Sequence, residues 1–385
     1  MTRRCAVIGT GQTHHAAARR DVTMGGLVRE ACVRALADAE LPWADIDAVV
    51  LGKAPDFLEG VLTPELHLAD ALGAVGKPLF RAYTSGNAGG MAASLGVTLI
   101  ASGQHERVLV VAFEKQSEAD ATGSTLQRVP YQAPWQGGTG SLFAALCQDY
   151  IARSGAPVDL GDRVALKERR NALSNPFAQV RRPDITLEQI AASRMLWEPI
   201  RLLHSSPSSD GACALVLASE SAARACPSPA WVQGCAVRSE PPVSPEHDDV
   251  NPRAGRDCAA AVYAAAGITE PARELDVLEL FSPYSWMEAL LLENLGFAEP
   301  GGDGWRLIDT GATEMAGSLP VNPSGGLLGA NPIGAAGLIR FAEAAMQVRG
   351  TAGEHQLDGV RKALGHAAGG FSNCVAMWVL GTDKP

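Results

Sequence analysis

Ala44-Asp45-Ile46-Asp47-Ala48-Val49-Val50 is answered in the second half of the chain by Arg273-Glu274-Leu275-Asp276-Val277-Leu278-Glu279, each a polar lead running into a short apolar strand. The residues just before each stretch also correspond, Ala35-Leu36-Ala37-Asp38-Ala39 with Val262-Tyr263-Ala264-Ala265-Ala266. Working outward, Cys5 to Ile8 reads as a buried strand, Met24 to Leu41 carries its apolar residues at helical spacing, and Ile46 to Leu51 is a second strand. A helix over Gly86 to Ser102 and a strand over Val108 to Ala112 follow, the alternation expected of an α/β layer. The same order returns as strand Trp231 to Val237, helix Arg253 to Ala266 and strand Glu274 to Leu280. This is an internal duplication whose period is too long for a solenoid.

The expected halves are 1–120, completed by about 202–225, and 226–385. Between them, 121–201 is rich in Gly, Pro, Gln and Arg and reads as a cap subdomain, since so long a connection rarely stays structureless. Inside it stand Lys167, Arg169 and Arg170, then Arg181 and Arg182. They read either as a solvated helix face or as a grip on phosphate.

At 385 residues and 46% hydrophobic, the chain can bury a large core. Its formal net charge of -10 argues against a nucleic-acid binder, which needs a basic face to release counterions. No apolar run is long enough to span a bilayer and no secretory leader is evident, so a cytoplasmic protein with no membrane partner is expected. The eight cysteines are scattered and none forms a C-x-x-C pair, which reads as buried reduced thiols. His14-His15 lacks a third ligand, so no metal is assigned.

Three Gly-rich segments place backbone amides at turns or helix starts, where they can face an anion or a carbonyl oxygen. They are Thr84-Ser85-Gly86-Asn87-Ala88-Gly89-Gly90, the run from Asn322 to Gly334, and Gly365-His366-Ala367-Ala368-Gly369-Gly370. In this order on a duplicated α/β chain they resemble the thiolase superfamily. The resemblance spans essentially the whole chain and is nearest the sterol-carrier or lipid-transfer branch of actinobacteria. Pro64 to Gly73, Phe113 to Glu118, Pro207 to Ala214 and Gly353 to Gln356 also carry it. It implies a duplicated five-layer αβαβα thiolase fold, a homodimer and acyl-CoA substrates, with coenzyme A entering as part of the substrate and no separate cofactor. It also implies a possible small OB-fold/zinc-ribbon partner completing a heterotetramer.

The catalytic positions of the family are replaced here. Tyr83 stands where the nucleophilic cysteine belongs, and can either serve the substrate or fill the vacated space. Asn331 replaces the histidine before Pro, and can either donate to a thioester oxygen or cap the following helix. Phe281 takes the third position, with Tyr284 close by if Pro283 breaks the strand alternation. His366 aligns with the second cysteine and is the expected general acid/base. Backbone amides around Ser85, Gly86, Ala368 and Gly369 would hold the enolate oxygen. His204 and Cys374 read as structural. The residues favour aldol or retro-aldol chemistry beside a CoA thioester without an acyl-cysteine. The alternatives are acyl transfer of the acetyl-CoA acetyltransferase type and a non-catalytic acyl-CoA-binding scaffold.

Overall fold

The computed structural model describes residues 3–54, 61, 63–118, 138–241 and 247–385. Eleven strands are described: β1 (Cys5–Gln12), β2 (Ala48–Lys53), β3 (Leu79–Tyr83), β4 (Arg107–Lys115), β5 (Met195–Trp197), β6 (Ile200–Arg201), β7 (Asp210–Ser219), β8 (Ala230–Ser239), β9 (Val277–Glu279), β10 (Lys362–Gly369) and β11 (Cys374–Gly381). Nine are hydrogen-bonded in the order β3-β2-β4-β7-β1-β8-β11-β10-β9, and β5 with β6 forms a small hairpin.

The duplication is written in this order. β1 is antiparallel to β7, β7 to β4, and β4 is parallel to β2. Likewise β8 is antiparallel to β11, β11 to β10, and β10 is parallel to β9. The halves join where Ala6 and Val7 of β1 face Trp231 and Ala230 of β8.

Strand alternation sorts side chains into separate apolar layers. Ala6 and Ile8 pack with helix α1 (Met24–Asp38), whereas Val7 faces the middle of the molecule. On β11, Ala376, Trp378 and Leu380 face the middle, whereas Val375, Met377 and Val379 face helix α5 (Arg253–Ala266). Between the two halves of the nine-stranded sheet run helices α2 (Ala88–Ala101) and α7 (Ile333–Arg349). The result is helix, half-sheet, paired helices, half-sheet, helix, the five layers that the resemblance implies. The other labelled helices are α3 (Thr139–Ser154), α4 (Leu160–Asn171) and α6 (Met287–Asn294). Residues 121–137 of the expected cap lie outside the described residues.

β9 is shorter than its apolar run predicts, because side chains take over the backbone donors beyond it. Leu280 donates its amide to Asn322 Oδ1 at 2.7 Å, and Phe281 donates to His366 Nδ1 at 3.2 Å.

The middle helices meet backbone to backbone. A Cβ added at Gly89 of α2 would stand 2.6 Å from the Leu338 nitrogen of α7, and one at Gly337 would stand 3.0 Å from the Gly90 nitrogen. Glycine is required there, since backbone cannot move aside as a side-chain tip can.

Helix α7 also carries charge into the interior. Glu343 accepts from His355 Nε2 and Gln12 Nε2, both at 2.8 Å, while Arg340 is paired with Glu279. Burial works against the Glu343 carboxylate, but His355, Arg340 and Gln12 overcome it and hold its pKa at about 2. Beside them, burial keeps His15 neutral, with a pKa of about 3.

Two outcomes are expected. Gly89→Ala pushes the central helices apart and destabilises the protein by about 1–3 kcal/mol in denaturant unfolding, as overpacking does; an unchanged midpoint would contradict the contact. The unfolded chain protonates His15 near pH 6.5 whereas the folded chain resists to about pH 3, so stability falls as pH drops through that window. His15→Gln should therefore lose less melting temperature than the parent between pH 7 and pH 5, and equal losses would show that another group takes up the proton.

Candidate functional site

The N-terminal ends of α2 and α7 open on one cleft of about 770 Å³, part of it open to solvent. Gly86 and Ile333 line it from the two helix starts, Ala368, Gly369 and Gly370 from the end of β10, and Phe281 and Tyr284 from the segment after β9. Thr139 and Phe143 of α3, Gln116, and the run Ser205-Ser206-Pro207-Ser208 complete it. Among the described residues that line it, none is a cysteine.

The expected irregular step at Pro283 is present and brings both Phe281 and Tyr284 to the cleft. The segment leaves the sheet to pair with residues 204–206. Ser206 donates its amide to the Pro283 carbonyl at 2.9 Å, Ser285 donates to the His204 carbonyl at 2.9 Å, and Ser205 and Tyr284 form an isolated bridge. The Tyr284 ring packs 5.1 Å from that of Phe143, and burial raises its phenol to about 12. At neutral pH it is a protonated hydroxyl.

Asn331 is held from two sides. Its amide nitrogen donates to Ser209 Oγ at 2.9 Å and its Nδ2 donates to Ser206 Oγ at 3.0 Å, leaving Oδ1 buried without a partner. It does not cap α7, whose N-cap position is Pro332. The serines holding it were not singled out by sequence reasoning; their signal was the Ser-Ser-Pro-Ser-Ser run leading into β7. Gln116 was missed as well, and accepts the Ser209 amide at 3.0 Å.

Ser85 is not among the residues lining the cleft; its Oγ accepts the Gly370 amide at 2.5 Å and so ties the first Gly-rich segment to the third. Gly86, Ala368 and Gly369 line the cleft as expected.

Tyr83 does not line the cleft. It ends β3 with 55% of its surface exposed, and Arg81 stacks its guanidinium 4.9 Å from the ring. His366 also departs from expectation. It lies two residues deeper on β10 than Ala368, is 1% exposed, and lines a separate cavity. Burial lowers its pKa to about 3, so it stays neutral, and its Nδ1 is occupied by the Phe281 amide. A proton shuttle at the cleft is therefore not served by His366.

The basic cluster divides. Lys167 is buried against Glu288 Oε1 at 2.5 Å and Thr313 Oγ1 at 3.1 Å. Arg169, which burial lowers to about 10, donates to the Leu203 carbonyl at 2.9 Å and the Ser205 carbonyl at 3.4 Å. Both are interior struts, because α4 is enclosed on more than one side, and neither can meet a phosphate. Arg170, Arg181 and Arg182 remain exposed, with Arg181 bonded to the Leu173 carbonyl at 2.6 Å.

His204 is structural. Its Nδ1 accepts the Arg201 amide at 3.2 Å and its Nε2 meets Asp162 at 2.7 Å, which anchors the segment beside Tyr284. Cys374 meets Asn87 Nδ2 at 3.5 Å, at the start of β11. Among the described residues no group of three or more His, Cys, Asp or Glu could hold a metal, and no helix is long and apolar enough to cross a membrane.

Residues 238–382 match the Thiolase C-terminal domain-like family. The chain is 31% identical to the acetyl-CoA acetyltransferase of Methanothermobacter thermautotrophicus, over 97% of this chain and 98% of that protein. It is 28% identical to human sterol carrier protein 2, over 98% of this chain and 72% of that protein. The solved structure of the "Ltp2-ChsH2(DUF35) aldolase" superposes with a TM-score of 0.85 at 27% identity, covering 100% of this chain and 99% of that one. The repeated strand order, the paired central helices with their starts on one cleft, and full-length similarity to such relatives place the chain: it belongs to the thiolase superfamily.

Proposed function

We propose that the protein makes or breaks a carbon–carbon bond beside a CoA thioester by aldol or retro-aldol chemistry, with no acyl-cysteine intermediate. The observation that carries this reading is the chemistry of the cleft lining: a buried phenol and a doubly held asparagine, with no thiol among the described lining residues.

Asn331 is assigned to the thioester oxygen. The Ser206 hydroxyl can donate as readily as it accepts, so the Asn331 amide can turn its NH₂ into the cleft while Ser206 bonds its Oδ1. Backbone amides at Gly86, Ala368 and Gly369 are assigned to the same developing negative charge. In the cleavage direction the β-hydroxyl proton passes to the Tyr284 oxygen as the Tyr284 proton is released toward the α-carbon. The Cα–Cβ bond breaks in the same step, its electron pair taking up the Tyr284 proton at the α-carbon, while only partial negative charge develops on the thioester oxygen. The products are a shortened acyl-CoA and an aldehyde or ketone. A neutral phenol suits such a relay because it never carries net charge in a buried site.

The working unit in this reading is a homodimer, with a small OB-fold/zinc-ribbon partner completing a heterotetramer; the two-component name of the "Ltp2-ChsH2(DUF35) aldolase" supports including that partner. Arg170, Arg181 and Arg182 are the remaining candidates of the basic cluster for the CoA phosphates.

Incubation with β-hydroxyacyl-CoA thioesters, with and without the partner, is expected to release a carbonyl product. Tyr284→Phe should lower turnover by about 10²–10⁴-fold, the usual contribution of a positioned acid/base. Asn331→Ala should lower it by about 10²–10³-fold. No carbonyl product across a substrate panel would overturn the reading, and an acyl adduct in intact mass would replace it with acyl transfer.

A further inference from the structure

The chain passes from the cleft to another cavity within one residue, Ser205 lining the first and His204 the second. This cavity offers about 440 Å³ of enterable space, open to solvent, which falls within the range of sites that take small organic groups, about 300–1,000 Å³. Its apolar wall is formed by Ile151 and Ala152 of α3, Val158, Met195 of β5, and Pro199. None of the groups assigned to the reaction lines it.

The polar lining is acidic. Asp159, Asp162 and Glu198 face Arg201, while burial lowers the pKa of His204 and keeps its ring from adding positive charge. Arg201 is drawn to the Ser193 carbonyl at 3.2 Å, and Asp159 pairs with Arg163 at 3.4 Å. Glu198 is exposed, and among the described residues its carboxylate has no ion-pair partner. Asp162 differs in being held: its side chain is only 10% exposed. His204 Nδ1 accepts the Arg201 amide at 3.2 Å, so the ring proton resides on Nε2 and is donated to Asp162 Oδ1 at 2.7 Å. That bond fixes the carboxylate, and among the described residues no donor reaches its Oδ2. A rigid, nine-tenths buried carboxylate short of donors is a preformed seat for a cationic donor.

The surface around the seat is apolar. Val158 is 84% exposed, Leu202 47%, Met195 41% and Trp197 37%. Met195 and Trp197 alternate onto one face of β5, and Trp197 is braced against α3 at Gly140, where an added Cβ would stand 2.2 Å from the ring. Leu202 is tied to the same hairpin through its amide bond to the Arg194 carbonyl at 2.8 Å. A free small cation would leave this apolar surface in water, whereas a polypeptide would cover it and deliver its charge on an apolar stem.

We propose that this cavity is the docking site of a partner polypeptide, which inserts an arginine whose guanidinium meets Asp162 Oδ2, with Glu198 adding negative charge and flanking apolar side chains covering Met195, Trp197 and Leu202. Arginine suits the seat better than lysine, because its planar fork matches a carboxylate and it is less strongly hydrated. The site does not depend on which reaction the cleft performs.

Ligand-observed NMR titration of the full chain would compare acetyl-Leu-Arg-Leu-amide, acetyl-Leu-Gln-Leu-amide and n-butylguanidinium. The arginine peptide is expected to bind about tenfold more tightly than the glutamine peptide, the worth of one charge-assisted hydrogen bond. It should also bind about tenfold more tightly than n-butylguanidinium, which covers none of the flanking apolar surface. Asp162→Asn keeps an acceptor for His204 Nε2–H but withdraws the charge, and should abolish the preference for arginine. Glu198→Gln changes only an exposed side chain and should lower that preference about two- to threefold. Met195→Ser should weaken both peptides about fivefold and leave n-butylguanidinium unchanged. Equal binding of the two peptides would overturn the proposal, as would a preference for arginine that survives Asp162→Asn. Binding of n-butylguanidinium as tight as that of the arginine peptide would make this a small-cation site and no docking surface. A change in the chain's own oligomeric state on Met195→Ser, read by sedimentation, would give the surface to a second copy instead.

Discussion

Everything at the site depends on two helices touching without side chains between them. α2 and α7 approach through Gly89 and Gly337, where an added Cβ would meet the backbone of the other helix, at Leu338 and Gly334 for the first and at Gly90 for the second. Because the halves are related by duplication, bringing these helices together also brings their N-terminal ends together. The turn at Gly86 and the Asn331-Pro332 entry to α7 therefore border one cleft. Backbone dipoles from both helices converge there, a feature supplied by the fold before any side chain is considered.

The interior around this pair is unusually charged, and that charge serves the frame. Lys53 and Glu114, 3.1 Å apart, are both fully buried, and Glu343 collects donors from three different segments. Such pairs add little net stability compared with apolar packing, but removing one partner strands the other. They make the arrangement of segments specific. Arg169 belongs to this class: it grips the carbonyls of Leu203 and Ser205, and the next residue, Ser206, holds Asn331. A residue readable as a surface cation is instead one link away from the proposed oxyanion donor.

The replaced residues form a consistent set when placed in space. Tyr83 stands clear of the cleft, His366 is sealed beneath it, and Tyr284 and Asn331 face into it. The polar side chains described at the cleft are hydroxyls, amides and a phenol, with no thiol among them. The proposed chemistry follows from that difference.

The order of strands and helices, the duplication and the three Gly-rich turns were legible in the sequence, because apolar periodicity and glycine placement report local backbone requirements. Tyr284 was legible too, through the proline that breaks the strand. What the letters could not decide was which way His366, Tyr83, Lys167 and Arg169 face. Their exposure depends on partners distant along the chain: Phe281 for His366, Glu288 for Lys167, the 203–205 carbonyls for Arg169. A pattern along one strand or helix cannot encode those contacts. Sequence alone determined the frame, and only the tertiary packing decided which side chains reach the reacting centre, because burial and hydrogen-bond partners are properties of several segments at once.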